Sequence, residues 1–250
     1  MAATTAAPDV ARLLAALDSV RDPELDEPIT SLGFVAACTI SADGDAEVRL
    51  RLPTYFCAPN FAYLMAADAY DAVTALPGVR TARVLLADHF AADAINSGVA
   101  AQAGFVQSFS GEAEGELDDL RNDFLRKAIL AGTDQVCRAL RASGVVPAGA
   151  AGYAQLLTLT LGELPPSAAA DRLRRRRAEL GLPADDDALL LLDPATGEPV
   201  EAAAVPLHLR RARLTAVSIE ANASICRGML GHRYRSPGLG EAGRPESHPC

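Results

Sequence analysis

Along the first ninety residues the apolar positions alternate between a period of roughly 3.6 and a period of two, and each change marks a predicted element. Val10, Leu13, Leu14 and Leu17 recur at helical spacing and stop before Asp22-Pro23, predicting a helix from Val10 to Val20. Leu32 to Ile40 reads as a strand. Ala42-Asp43-Gly44-Asp45 supplies a turn, because glycine accepts the positive φ of a tight hairpin. Ala46 to Leu52 alternates, with Val48, Leu50 and Leu52 inward, and predicts a second strand. Pro59 to Leu76 returns to the helical period and closes at Pro77-Gly78, and Val79 to Ala87 is a third strand. The order α-β-β-α-β predicts an α+β domain with helices on one face of a small sheet.

After Asp88-His89-Phe90 the pattern turns mostly helical. Ala91 to Ala103 predicts one helix, and Glu116 to Ser143 a long amphipathic one whose acidic first turn suits the helix dipole. Gly144 to Gly152 reads as a Pro/Gly/Ala linker. Tyr153 to Leu164 fits helix or strand equally, and Ala168 to Leu180 is a basic helix. Leu189 to Leu192 and Glu198 to Ala204, flanking Asp193-Pro194-Ala195-Thr196-Gly197, predict a short hairpin. Leu207 to Met229 is mixed and ends in helix around Ser218 to Gly228. The expected segments are a domain at 9–90, a helical extension at 91–143, a linker at 144–152, a C-terminal region of unassigned fold at 153–235 and a disordered tail at 236–250. No internal repeat is present.

Composition narrows the functional classes. The chain has 250 residues, half of them apolar, and a net charge of −9. The imbalance is local: residues 1–100 carry 13 acidic against 6 basic side chains, and residues 151–250 carry 12 of each. An acidic N-terminal part argues against nucleic acid, whose binding rests on phosphate neutralisation. No apolar run reaches the roughly 18 residues of a membrane span, and Met1 to Pro8 lacks the features of a secretory signal. The five cysteines are odd in number and never spaced C-x-x-C, so a reducing cytoplasm is expected rather than a disulfide framework. That spacing also argues against a zinc finger or a four-cysteine cluster site built from one chain.

The chemical candidates gather near Cys57. It follows Leu52-Pro53-Thr54-Tyr55-Phe56, where a strand breaks into a helix, and a thiol at a helix start meets unpaired N–H groups that favour the thiolate. A thiolate is both a soft metal ligand and a nucleophile; the bland alternative is a small buried hydrophobe. Asp22 and Glu24 flank Pro23. They read either as loop and helix-end caps, with Arg21 as ion partner, or as oxygen ligands or a base near the thiol. His89, beside Asp88 after the third strand, is a candidate metal ligand or thiolate partner, although a histidine at a strand end is commonly structural. Cys38 and Cys137 fall in apolar elements and read as core. Cys226 and His232 lie six apart, which does not place them on one helix face. Arg172 and Arg174 to Arg177 read as a solvated helix face pairing with Asp185-Asp186-Asp187, with an acidic partner or nucleic acid as alternatives.

Asp22-Pro23-Glu24-Leu25, Leu32-Gly33-Phe34-Val35, the run into Pro53-Thr54-Tyr55-Phe56-Cys57 and Leu76-Pro77-Gly78-Val79 together resemble the SufT/PaaD-like iron–sulfur cluster assembly domain family over about residues 9–90. That family reads D-P-E-[LI], L-G-x-[VI], T-x-x-x-C-P and L-P-G-V. By position, Cys57 matches its motif cysteine, Asp22 and Glu24 its acidic loop, and Thr54 the second threonine of its Thr-Thr-Pro-Gly-Cys stretch. Pro53 replaces the first threonine, Tyr55-Phe56 the small Pro-Gly pair, and Ala58 interrupts Cys-Pro. A bulkier mouth of this kind points to a dedicated client. Asp88-His89-Phe90 and the Asn222 to Tyr234 segment look like the extended members associated with bacterial multicomponent di-iron monooxygenases.

What the resemblance implies is a non-enzymatic accessory factor that carries a transient iron–sulfur cluster or iron. Cys57, Asp22, Glu24 and Thr54 would contact the cargo, with Cys57 and His89 as metal ligands. The partners would be a client metalloenzyme or cluster assembly proteins, and a homodimer or the client would complete the ligand set. Two alternatives come from other classes: a metal-free client-specific chaperone, and a small cysteine enzyme pairing Cys57 with His89 and Asp88 or Asp93.

Overall fold

The computed structural model describes residues 9–235 apart from 112 and 114; the expected tail at 236–250, with Cys250, lies outside the described residues. These form two compact units, one of residues 9–117 with 222–235 and one of residues 118–221. The segments expected from sequence distribute over both, and the last turns of the chain belong with the first domain.

The first unit is α+β. Helix α1 (Val10–Leu17) starts where the Asp9 side chain accepts the Arg12 N–H, and it buries Leu13 and Leu17 completely. Strands β1 (Val35–Ile40) and β2 (Asp45–Leu50) pair antiparallel, and β3 (Thr81–Leu86) joins β2 in parallel, giving the order β1-β2-β3. Gly44 makes the hairpin with φ +84°, and a Cβ there would run into the Gly78 carbonyl oxygen. The parallel pairing requires a crossover, which is α2 (Pro59–Thr74). Its buried Ala62, Ala66, Ala69 and Val73 form a stripe of small side chains that lets the helix sit close on the sheet. The register aligns Ala46 with Ala82, Val48 with Val84 and Leu50 with Leu86 on the buried face. The opposite face is charged, with Glu47 between Arg49 (2.9 Å) and Arg83 (3.4 Å). Helices therefore cover one face only, as the alternation predicts.

Helix α3 (Ala92–Ala101) follows, and its Asn96 side chain takes the Leu86 N–H (2.7 Å) and donates to the Leu86 carbonyl (3.1 Å), completing the end of β3. A short turn, α4 (Phe105–Ser108), ends the continuous part of this unit.

The second unit is helical. It contains α5 (Asp118–Ala142), α6 (Gly149–Thr158), α7 (Ala168–Glu179) and the first part of α8 (Val205–Arg235). Three expectations need correction. The linker predicted over 144–152 is shorter, because α6 begins at Gly149 after the extended Ala148. The hairpin predicted over 189–204 reduces to an isolated Leu192–Pro199 bridge, since residues 202–204 turn helical before a ladder can grow. The mixed segment 207–229 is one continuous helix. Its buried positions include Ala212, Ala216 and Ala223, whereas Leu207, Leu214, Val217, Ile225 and Met229 are exposed, so the apolar pattern hides the inner face.

The arginine run divides into separate roles. Arg174 pairs with Asp186 at 2.8 Å, as the neighbouring acidic run predicts, and Arg176 pairs with Glu179 at 2.5 Å. Arg177 is instead fully buried and donates to the carbonyls of Leu189 (2.8 Å) and Leu190 (2.5 Å). Burial, with Arg174 nearby, lowers its pKa to about 10, so it stays charged at neutral pH. This guanidinium holds the 189–190 chain against α7 where strand pairing would otherwise satisfy those carbonyls. No helix among the described residues is long and apolar enough to cross a membrane.

Arg177→Leu would leave both carbonyls unsatisfied. It is expected to destabilise the full chain by about 2–5 kcal/mol, with Arg177→Lys in between because one ammonium cannot span both oxygens as a planar fork does. Denaturant unfolding followed by circular dichroism measures it.

Candidate functional site

Strand β2 ends at Leu50, and the chain runs through Leu52 and Pro53, both buried, into an exposed Tyr55-Phe56 turn before α2 begins at Pro59. Proline is tolerated at the helix start because the first N–H has no intrahelical acceptor. Cys57 lies just before this start and is half-buried. Thr54 Oγ1 accepts the Phe56 N–H at 3.2 Å and lies 3.2 Å from Cys57 Sγ. The hydroxyl and the thiol are thus in hydrogen-bond contact, and either can act as the donor. Just before Cys57 in the chain, Tyr55 and Phe56 join Phe90 in an exposed cluster of rings with centroids 5.0 to 6.4 Å apart. Phe56 is 77% exposed.

His89 is buried, and both its nitrogens are engaged by backbone. Nε2 lies 2.7 Å from the Cys57 carbonyl oxygen and Nδ1 accepts the Ala91 N–H at 3.2 Å. A carbonyl only accepts and an amide only donates, so the ring is the neutral Nε2–H tautomer. Burial lowers its pKa first, against the Cys57 carbonyl that raises it, and the Arg233 charge lowers it further. The expectation of His89 as a metal ligand is thereby corrected: no lone pair is left to offer. The same bonds separate it from a catalytic pairing, because the ring meets the Cys57 carbonyl and not its sulfur. It is a brace for the thiol loop.

The acidic loop is built from its own backbone. Asp22 Oδ1 accepts the N–H groups of Glu24 (2.9 Å) and Leu25 (2.8 Å), so the capping role expected of Asp22 is present. Arg21 pairs with Asp26, whose φ of +52° turns the chain back. Asp22 is 7% exposed, and burial raises its carboxyl to about 6 against the two backbone hydrogen bonds that lower it; Glu24 and Glu27 raise it further. A carboxyl held near neutral pH by burial is a mark of functional sites.

What sequence reasoning missed is the end of α8. Asn222 Nδ2 donates to Glu24 Oε1 at 3.1 Å, Arg227 pairs with Glu27, and Arg233 donates to the carbonyls of Leu52 (3.1 Å) and Asp88 (2.6 Å). Leu230 is buried over Gly33. Asn222, Cys226, Leu230 and Arg233 share a face by their spacing, which carries Cys226 onto the acidic loop. Burial pushes the Cys226 thiol up to about 11, with Asp22, Cys57 and Glu24 adding to the rise and Arg227 opposing it. Cys57 and Cys226 are both partly buried and pack against the same apolar core. The usable signal is the i, i+4, i+8 spacing of Asn222, Cys226 and Leu230, a face that His232 does not share. Cys38 and Cys137 are buried, as expected of core residues. Among the described residues no three His, Cys, Asp or Glu side chains are placed to hold a metal ion together.

Residues 11–86 match the family model described as iron-sulfur cluster assembly protein. No curated protein and no solved structure matches the chain.

The Asp22 carboxyl has a folded-state pKa above its ordinary 3.8, so the folded chain retains a proton that the unfolded chain releases between pH 3.8 and about 6. Its contribution to stability is full below that window and lost as pH rises through it. Asp22→Asn keeps an oxygen for the Glu24 and Leu25 N–H groups and removes the buried charge. At pH 8 it is expected to exceed the parent in stability by ~1–3 kcal/mol, with the advantage gone at pH 4; urea unfolding at the two pH values measures both. His89→Ala removes the brace and is expected to cost about 1–3 kcal/mol and to speed iodoacetamide alkylation of Cys57 severalfold, read by peptide mass spectrometry.

Proposed function

We propose that this chain, whose residues 11–86 form a domain of the iron–sulfur cluster assembly protein family, is a cytoplasmic, non-catalytic accessory factor that hands an iron–sulfur cluster or iron to a client metalloenzyme. A multicomponent di-iron monooxygenase is the client we favour. The two segments whose sequence resembles the extended members tied to such enzymes are in contact, through Arg233 and the Asp88 carbonyl.

The observation that carries the proposal is the setting of Cys57. It is a half-exposed thiol inside the matched domain, with the Thr54 hydroxyl oxygen 3.2 Å from its sulfur and a loop braced by His89. The cluster or iron is cargo rather than a resident group. Binding replaces the S–H bond by a sulfur–iron bond and sends one proton to solvent, with Thr54 donating to the charged sulfur. Nearby carboxylates favour a cation in the same space. Few ligands from one chain suit release, since the acceptor can supply the rest. The exposed Tyr55, Phe56 and Phe90 rings supply apolar area for a client to cover.

The same rings favour a second reading, a metal-free client-specific interaction module, and one measurement separates the two. In a strain carrying Cys57→Ser, the client enzyme is expected to fall at least fivefold in iron content and activity at unchanged polypeptide level. Full iron content and activity in that strain would overturn cargo transfer and leave the interaction module.

A further inference from the structure

The cargo reading assigns one thiol, yet the fold delivers a second. Cys226 belongs to a helix face fixed at four points in the first unit: Asn222 on Glu24 (3.1 Å), Arg227 on Glu27, Leu230 packed over Gly33, and Arg233 on the Leu52 and Asp88 carbonyls. Two of these flank Cys226 by one helical turn on either side, at Asn222 and Leu230, so its direction is set by contacts on both sides. The Arg233 contacts lie on the two chain segments that lead to Cys57 and His89. Cys57 and Cys226 pack against the same apolar core, and neither is fully buried. A thiol with only a packing role needs no exposure, whereas both cysteines here stay partly accessible, and the helix bearing Cys226 is fixed on either side of it to the carboxylates of Glu24 and Glu27.

We propose that Cys226 is a second cargo ligand, so that Cys57 and Cys226 form a two-thiol half-site for a thiophilic metal, iron(II) or one iron of a small cluster. The proposal rests on the cargo reading above. In the binding step two S–H bonds break, two sulfur–iron bonds form and two protons leave to solvent, with no change of oxidation state. The remaining positions of the metal are left for ligands of an acceptor or of a second copy of the chain. Thiolates are the ligand type that selects iron–sulfur chemistry over hard cations, and two of them bind more tightly than one.

The test uses the full chain under anaerobic conditions in a Cys250→Ser background, with cobalt(II) as spectroscopic probe and iron(II) as the physiological ion. The parent is expected to show a thiolate-to-cobalt charge-transfer band. Cys226→Ser and Cys57→Ser should each lose about half its intensity and at least tenfold in affinity, and the double variant should lose the band. Cys226→Ala, with folding checked by circular dichroism, guards against an effect of the serine hydroxyl. A variant-free measurement runs alongside: iron(II) should protect both Cys57 and Cys226 of the parent from alkylation, mapped by mass spectrometry. If Cys226→Ser keeps the full band and iron(II) protects Cys57 alone, the second ligand is overturned and cargo binding at Cys57 stands. If the parent shows neither band nor protection, both the half-site and the cargo reading are overturned.

Discussion

The Arg233 guanidinium is the contact on which the candidate site depends. Past Leu50 and Leu86 the sheet ends, and the carbonyls that follow have no ladder partner. Arg233 gives one N–H to Leu52 and another to Asp88, tying the two strand exits together. From one exit hangs the Thr54 to Cys57 turn and from the other His89, which closes the circuit by donating to the Cys57 carbonyl. A planar fork with fixed donors suits two carbonyls at a set separation in a way a lysine would not. The thiol is therefore positioned by backbone carbonyls, each met by a side chain from a distant part of the sequence.

The acidic loop meets the same helix with charge. Its carboxylates are not spent on one another: Asp22 holds backbone, Glu24 receives Asn222 and Glu27 receives Arg227. Burying Asp22 nevertheless costs stability above pH 6, as its raised pKa shows. A purely structural cap would do as well as an amide, since only an acceptor oxygen is needed there. The retained charge fits a loop that faces cations.

Much of the first domain was legible because its signals are local. The apolar spacing of α1, the Gly44 turn, the β2 alternation and Pro59 at the start of α2 each act within a few residues. Cys57, Asp22, Glu24 and Thr54 were legible as types and as a motif. The role of His89 was not, because a ring nitrogen reads as a ligand until a carbonyl 32 residues away takes its proton. Cys226 was harder still, since Asn222 and Glu24 are 198 residues apart and the inner face of α8 is marked by alanine rather than leucine. The arginine run misled for a related reason: burial separates Arg177 from neighbours of identical chemistry.

The departures of the thiol turn from the family pattern now have a physical consequence. Tyr55 and Phe56, standing where the pattern has a small pair, leave three rings in mutual contact at the mouth, and Phe90 joins them through its N–H on the Tyr55 carbonyl at 3.1 Å. Exposed rings gain nothing in water and gain most when another surface covers them. In the proposed transfer, covering the rings and completing the ligand set would be the same event, because Cys57 directly follows Tyr55 and Phe56 in the same turn. A client that brings apolar surface without metal-binding side chains would dock and take nothing. One that brings ligands without the apolar surface would compete for metal but lack the docking energy. In that proposal selectivity would reside in the rim and chemistry in the thiol, so that replacing a small pair by two aromatic residues would narrow the range of clients while leaving the motif cysteine in place.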